Sequence, residues 1–315
     1  MGSYLFNRVL QFVPTLFVVS IVVFLMVRAI PGDAALVLLG PTAKPEQVEI
    51  LRQKMGLEEP IWQQYLIWIG GVFRGDLGAS AINGFPVAEL IRQKLPATVA
   101  LAIGSMIVAL LLAIPMGAIP ALRPGSWGAR VATFASGLLV AIPTFWLGVL
   151  LVLVVSLRLK WLPPSGYVPF TENPLQSVKQ LILPSLTLGA YLSAIFARFL
   201  SSSIADVLSE DYVRTATAKG LRERLVIGRH VMRNALIPVV TMLGIQFGGL
   251  LGGAVIVEAI FDWPGLGRLL VTSISSRDYA VVQGTILLAA SAFLVVNLLT
   301  DLTYGLLDPR IRSDE

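Results

Sequence analysis

The sequence predicts an all-α membrane protein. Six transmembrane helices are expected, with an external cap between the first and second and a cytoplasmic helical segment between the fourth and fifth. Three observations carry this. The 315 residues are 56% hydrophobic and 14% charged, with mean hydropathy +0.79, where a soluble domain is about 25% charged. Six stretches hold no Asp, Glu, Lys or Arg: 9–27, 95–122, 131–157, 180–197, 234–257 and 279–300. The residues between them carry all 24 basic and 19 acidic groups, a density of about 24% that matches watery loops. Finally, Val149-Leu150-Leu151-Val152-Leu153-Val154-Val155 shows none of the period-two alternation of a barrel strand. A single soluble globule, a disordered chain and a disulfide scaffold are excluded.

The uncharged stretches run from 18 to 28 residues, and about 20 are needed to cross the hydrocarbon core. The first span, within 1–28, has Arg8 ahead of its apolar run, as a signal peptide would. Its length and the five spans that follow make it an uncleaved helix. Segment 29–94 is read as a small external cap. Pro45 can open a helix with Val48, Leu51 and Met55 on one face and Gly56 past its end. A second helix is expected from Ile61 to about Val72, its Trp62, Tyr65, Leu66 and Trp68 suiting a membrane interface. A loop that merely packs on the bundle is the alternative.

The five-helix core, 95–312, has spans at about 95–122, 131–157, 180–200, 234–257 and 279–304. Pro14, Pro115, Pro143, Pro184 and Pro238 fall within spans; each removes a backbone donor and can kink its helix. Gly244, Gly248, Gly249, Gly252 and Gly253 give the fifth span small-xxx-small pairs that permit close helix contact.

Six spans put both termini on one side. If that side is the cytoplasm, the inner segments hold 12 of the 24 Lys and Arg. Six of the outer 12 lie in the long first loop, and long loops translocate largely regardless of charge. Both ends are therefore expected in the cytoplasm. The net charge of +5 reads as topology, with no nucleic-acid partner. There is no cysteine, and His230 is the single histidine, so thiolate and multi-histidine metal sites are not expected.

The inner segment 201–233 is the informative one. Ile204, Val207, Leu208 and Tyr212 sit at i, i+3, i+4 and i+8, one face of a helix that Gly220 can stop. A second helix follows through Leu225, Val226 and Val231 toward Pro238. An exposed helix with one apolar face and charged flanks can dock in a partner's groove; a charged loop touching lipid headgroups is the alternative.

Glu210-Asp211-Tyr212-Val213-Arg214-Thr215-Ala216-Thr217-Ala218-Lys219-Gly220-Leu221, followed by Arg233-Asn234-Ala235-Leu236-Ile237-Pro238, resembles the cytoplasmic "EAA" signature of ABC importer permeases. The match is closest to the dipeptide/oligopeptide/nickel class, glutathione-type included. Thr217 stands where that class typically has a second Arg. Arg214-Thr215-Ala216 replaces the general Glu-Ala-Ala, and the gap from Gly220 to Pro238 is long; both are usual for the class. Further landmarks are Pro31-Gly32-Asp33, Gly75-Asp76-Leu77-Gly78-Ala79-Ser80, Pro143-Thr144-Phe145-Trp146, Leu183-Pro184-Ser185, Glu258 through Leu269, and Arg277-Asp278-Tyr279. The resemblance covers roughly residues 3–312.

It implies a non-catalytic permease subunit in a bacterial inner membrane, carrying dipeptides, oligopeptides or glutathione, with a nickel chelate as the alternative cargo. The chain would bind no cofactor; ATP and Mg would sit on two partner ATPases. In agreement, no Gly-x-x-x-x-Gly-Lys-Ser/Thr phosphate loop is present. A second homologous permease and an external solute-binding protein complete the implied set. The segment around 208–222 resembles the helix that couples permease to ATPase. Ala216 and Ala218 would let it seat deeply, Gly220 would give the exit turn, and Arg214, Lys219, Glu210 and Asp211 can pair with rim charges.

For the gate or path the candidates are Glu258, Phe261, Trp263 and Pro264 near the fifth span, and Asn297 and Asp301 in the sixth; for Glu258 and Asp301 the alternative is an interfacial residue, solvated or capping a helix. The Phe261–Leu269 loop is either a gate or docking contact, or a rigid plug packing on the cap. An ion-coupled secondary transporter would place ionisable groups at mid-membrane, and a membrane enzyme would need a nucleophile and base or a metal. Neither pattern is found in the uncharged cores.

Overall fold

The computed structural model describes residues 2–29, 34–40, 43–54, 58–251 and 254–307. Helices account for nearly all of this, and no named strand occurs among the described residues. The chain begins with α1 (Gly2–Ala29), the short α2 (Ala34–Leu39), α3 (Pro45–Lys54) and α4 (Ile61–Phe73). The long α5 (Val87–Leu122) follows, then α6 (Trp127–Ala141), α7 (Thr144–Leu151) and a π-helical turn at Val152–Arg158. Next come α8 (Pro174–Leu208), α9 (Asp211–Ala218), α10 (Glu223–Leu225) and a second π-helical turn at Val226–Met232. The chain closes with α11 (Arg233–Leu251), α12 (Val255–Ile260), α13 (Leu266–Ser275) and α14 (Tyr279–Leu307).

Among the described residues five stretches are long and apolar enough to cross a membrane: Phe12–Ala29, α5, α8, Glu223–Leu251 and Tyr279–Thr300. The expected continuous helix over 131–157 is not found. It is split into α6 and the Thr144–Arg158 run, whose axes differ by 101°. Pro143 causes the break. The residue before a proline is pushed out of the α region, and Ile142 is extended at φ −75°, ψ 121°. Pro143 itself has ψ 132° and restarts the chain as α7. Pro14, Pro115, Pro184 and Pro238 all stay inside continuous helices.

Other bounds also move. α5 starts at Val87 and α8 extends from Pro174 to Leu208, where Asn173 caps its start by accepting from the Gln176 N–H at 3.1 Å. Absence of charge marks the lipid-embedded part of a helix, and both helices run on into water. The fifth span ends at Leu251, six residues before the expected 257, and α12 is a separate short helix. Gly252 and Gly253 lie outside the described residues.

The central pairing is α5 on α8. It is built from small residues: Ala97, Ala102, Ala109 and Ala113 of α5 and Ala190, Ala194 and Ala197 of α8 are buried. At Gly189 an added Cβ would stand 2.7 Å from the Ser105 carbonyl oxygen and 2.7 Å from Val108 Cβ. At Gly117 it would stand 2.6 Å from the Ala197 oxygen. The contacts advance together along both chains, so α5 and α8 run parallel. The segment between them must return across the bundle, and the bent α6–α7 pair is what returns. Replacing Gly189 with valine is expected to cost roughly 3 kcal/mol, because a backbone oxygen cannot rotate away. Thermal unfolding in detergent checks this; a wild-type midpoint would mean that the two helices can separate freely.

α11 and α14 pack antiparallel, with Gly244 against Thr300 and Gly248 against Phe293. α1 lies on α14 and α4. Its Phe24 is buried beneath Tyr65 and Trp68, Ser20 shares a 2.7 Å hydrogen bond with Tyr65, and Arg28 donates to Gln64 at 2.8 Å. Away from that contact α1 leaves Val18, Val22, Leu25 and Met26 exposed. Unpaired apolar surface of this extent belongs in lipid.

Candidate functional site

The signature segment forms one structure at the end of the bundle. α8 ends at Leu208, Ser209 and Glu210 turn the chain, and α9 begins at Asp211. A single helix carrying Ile204 through Tyr212 on one face is thus replaced by two helices with a turn between them. The Glu210 carbonyl accepts from Val213 and Arg214, while its side chain makes no capping bond.

One face of α9 is anchored. Val213 and Ala216, three residues apart, are buried with Leu200 and Ile204 of α8, Val226 and Val231 of the π-helical turn, and Ala235 and Val239 of α11. Burying Val213 contributes about 1.5 kcal/mol. Tyr212 is exposed, but its hydroxyl accepts from Asn234 Nδ2 at 3.0 Å, and the same nitrogen donates to the His230 carbonyl at 2.8 Å. The two halves of the sequence signature therefore touch: the 210–221 half lies on the 233–238 half. Ala216 faces inward, so of the two alanines expected to let the helix seat deeply only Ala218 is on the open face. Its small side chain lets α9 approach its own bundle.

The opposite face is open. Asp211, Arg214, Thr215, Ala218, Lys219 and Leu221 are exposed. Arg214 reaches Asp211 at 3.5 Å within the helix, with both side chains largely in water. Such a pair is worth under about 1 kcal/mol, so both ends remain free to change partner. Thr215 and Thr217 satisfy their hydroxyls on the Asp211 and Val213 carbonyls.

Gly220 ends α9 at φ +73°. The Leu221 N–H returns to the Ala216 carbonyl and the Gly220 N–H to the Thr217 carbonyl. This is the paired Schellman closure, which requires a left-handed residue at Gly220.

Glu258, Phe261, Trp263 and Pro264 gather at the opposite end, between α5 and α13. Glu258 is fully buried in α12. Its Oε2 accepts from the Arg268 N–H at 2.8 Å, and its Oε1 from Thr98 Oγ1 at 3.2 Å. Thr98 Oγ1 in turn accepts from the Leu266 N–H at 2.8 Å. Two free N–H groups at the start of α13 are thus satisfied by one carboxylate and one hydroxyl. A negative group is favoured there by the helix dipole. Gly265 makes room, since a Cβ at that position would overlap the Glu258 carboxylate.

Trp263 and Phe261 are also buried. Trp263 Nε1 donates to the Ala97 carbonyl at 2.8 Å, and Tyr167 stacks edge-on to its ring at 4.9 Å. Burial, with Glu172 a lesser cause, pushes the Tyr167 phenol above its ordinary pKa. The Phe261 carbonyl accepts from Gly166 N–H at 3.1 Å. Pro264 is half-buried, and Arg268 pairs with Asp262 across the turn. The 261–269 loop is packed against the start of α5 and against Tyr167. Glu258, Phe261 and Trp263 line no open surface.

Asn297 sits half-buried in α14 with its Oδ1 lacking a hydrogen-bond partner among the described residues. Asp301 lies in the same helix, and its side chain falls outside the described residues. Sequence reasoning missed Thr98 and the link from Ser80 Oγ to Asp278 Oδ2, reinforced by the Ala81 N–H on Asp278 Oδ1 at 3.2 Å. Both ends of that link stood inside recognisable landmarks, 75–80 and 277–279. Their pairing across nearly 200 residues left no local signal.

Residues 113–313 match the family described as binding-protein-dependent transport system inner membrane component, and residues 1–102 match the N-terminal model of the same systems. A glutathione transport system permease protein GsiC of Escherichia coli O6:H1 (strain CFT073) is 45% identical over 312 residues, covering 99% of both chains. The GsiC of Escherichia coli strain K12 is 44% identical over the same length and coverage. Among solved structures, inward-facing crystal forms of the MetNI methionine ABC transporter overlay 70% of this chain and 96% of theirs. Their TM-scores are 0.57 and 0.56 at 15% and 17% identity, a likeness of fold. With both of its halves matched and relatives at this identity along its full length, the chain belongs to the inner membrane permease components of binding-protein-dependent transport systems.

Proposed function

We propose that this chain is one permease subunit of an ATP-driven importer whose cargo is a small peptide of the glutathione type. The observation that carries the reading is 44–45% identity along the full length to permeases named for glutathione transport. The chain would form half of the translocation path, opposite a second homologous permease. Two separate ABC ATPases would bind ATP and Mg, and a solute-binding protein would deliver cargo from outside. Both termini would lie in the cytoplasm of a bacterial inner membrane.

Coupling is assigned to Glu210, Asp211, Tyr212, Arg214, Thr215, Ala218, Lys219, Gly220 and Leu221, with Val213 and Ala216 as the anchor. The geometry of α9 supports this. A short helix fixed to α8 and α11 along one face must move those helices when its other face is pulled. Closure of the ATPases around ATP would then favour one gate state by differential binding.

Purification from native membranes in mild detergent tests the assembly. Two ATPases, a second six-span permease and a peptide-type binding protein are expected by mass spectrometry. Recovery of this chain alone, from membranes where known complexes survive, would overturn the reading.

A further inference from the structure

The bundle contains a cleft of about 450 Å³ that none of the candidate gate residues lines. Its walls come from α7, α8, α11 and α12, and its polar side chains are Thr144, Tyr191 and Gln246. Tyr191 lies midway along α8 and is 40% exposed. No charged residue lines the cleft.

Two interruptions of helix meet there. Thr144 is the first residue after the Pro143 break, where the axis turns by 101°. On the far wall α11 has ended at Leu251, and Ala254, at φ −85° and ψ 60°, precedes α12. Broken helices free backbone N–H and C=O groups. At membrane depth such groups are tolerated where they are buried in protein or line a water-filled cavity. Discontinuous helices are also how transporters expose backbone groups to cargo. Gly249 adds to this, because a Cβ there would meet nothing within 4 Å.

We propose that this cleft is one wall of a hydrated conduit, and that Tyr191 and Gln246 bind the peptide groups of the cargo in passing. A carboxamide and a phenol each offer both a donor and an acceptor, as a peptide group requires. With no ion pair to break, the cargo is held weakly and released quickly. This rests on the importer reading above, with the second permease closing the open side.

The chain has no cysteine, so each variant carries one thiol in this subunit, and the transporter built with the unsubstituted chain gives the background of the other subunits. Tyr191→Cys, Gln246→Cys and a control outside the cleft, Leu111→Cys on an exposed apolar part of α5, are assembled into the full transporter in liposomes. Each is treated with a charged, membrane-impermeant methanethiosulfonate, without nucleotide and with ATP plus vanadate. In at least one state, positions 191 and 246 are expected to react at least about tenfold faster than 111, because only a hydrated thiol ionises readily. Their modification is expected to block uptake of tri-alanine and S-methylglutathione.

Reaction as slow as at Leu111→Cys in both states would overturn the proposal and make the cleft a dry packing face for the second permease. Fast reaction with uptake unchanged would also overturn it. Uptake of the two peptides by the untreated transporter reports on the importer reading alone. Gln246→Cys stands independently if Tyr191→Cys does not assemble.

Discussion

Gly220→Val is expected to leave the chain inserted and bound to its ATPases while cutting ATP-driven uptake roughly five- to thirtyfold. The left-handed conformation costs a side-chain-bearing residue about 1–2 kcal/mol, and that is a factor of about 5–30 in a two-state population. No atom lies within 4 Å of the added Cβ, so the penalty is backbone strain with no clash. Relief of that strain would undo the Leu221–Ala216 and Gly220–Thr217 bonds and unwind the exit of α9. A graded series separates this from general damage. Gly220→Asn should be mildest, since asparagine tolerates the left-handed region, followed by Gly220→Ala and then Gly220→Val. The measurement is peptide-stimulated ATPase activity and uptake in liposomes. Wild-type coupling in the valine variant, with ATPases still associated, would end the assignment of α9 as the coupling element.

Glu258→Ala is expected to destabilise the α13 end of the bundle by about 2–6 kcal/mol. It leaves the Arg268 N–H and the Thr98 hydroxyl without their acceptor in a buried site, at about 1–3 kcal/mol for each such group. Glu258→Gln should recover part of the loss, because one amide oxygen can still accept while its NH2 faces donors. Protease nicking within 254–278 and the unfolding midpoint in detergent report the effect. An unchanged midpoint and an uncut plug in Glu258→Ala would show that the start of α13 is held by something other than this carboxylate.

The contrast between these two residues separates local from distant information. Gly220 was legible because its role is local. A glycine past a helix, with polar and basic residues before it, implies a left-handed stop whatever the rest of the chain does. The inward orientation of Ala216 was not legible although it is only four residues away. Its orientation depends on where α8 and α11 place their apolar ends, and periodicity within α9 does not carry that. The boundary between α8 and α9 was missed for a related reason. Ile204 through Tyr212 keep a helical period across the turn at Ser209 and Glu210, so hydrophobic spacing alone reads through it.

Glu258 and Trp263 show the same limit at the other end. Their motif was visible, and a carboxylate near a span end reads either as a path group or as an interfacial one, solvated or capping a helix. Only the approach of Thr98 and of the α13 N-terminus turns it into a buried capping group. Thr144, Tyr191 and Gln246 lie on three separate elements and carry no common motif, so the cleft they line had no trace in the sequence.

The sequence by itself determined the membrane class, the positions of the apolar spans, the coupling signature and the family. Each of these rests on composition or on residues close together along the chain. Tertiary structure alone decided that Pro143 breaks its span while Pro14, Pro115, Pro184 and Pro238 do not. It also decided which face of α9 is buried, which carboxylates are capping groups and where a cleft opens. Those outcomes depend on which distant atoms arrive to satisfy a freed N–H or to fill the space beside a small side chain, and in a parallel α5–α8 pair those atoms come from residues about 80 positions apart.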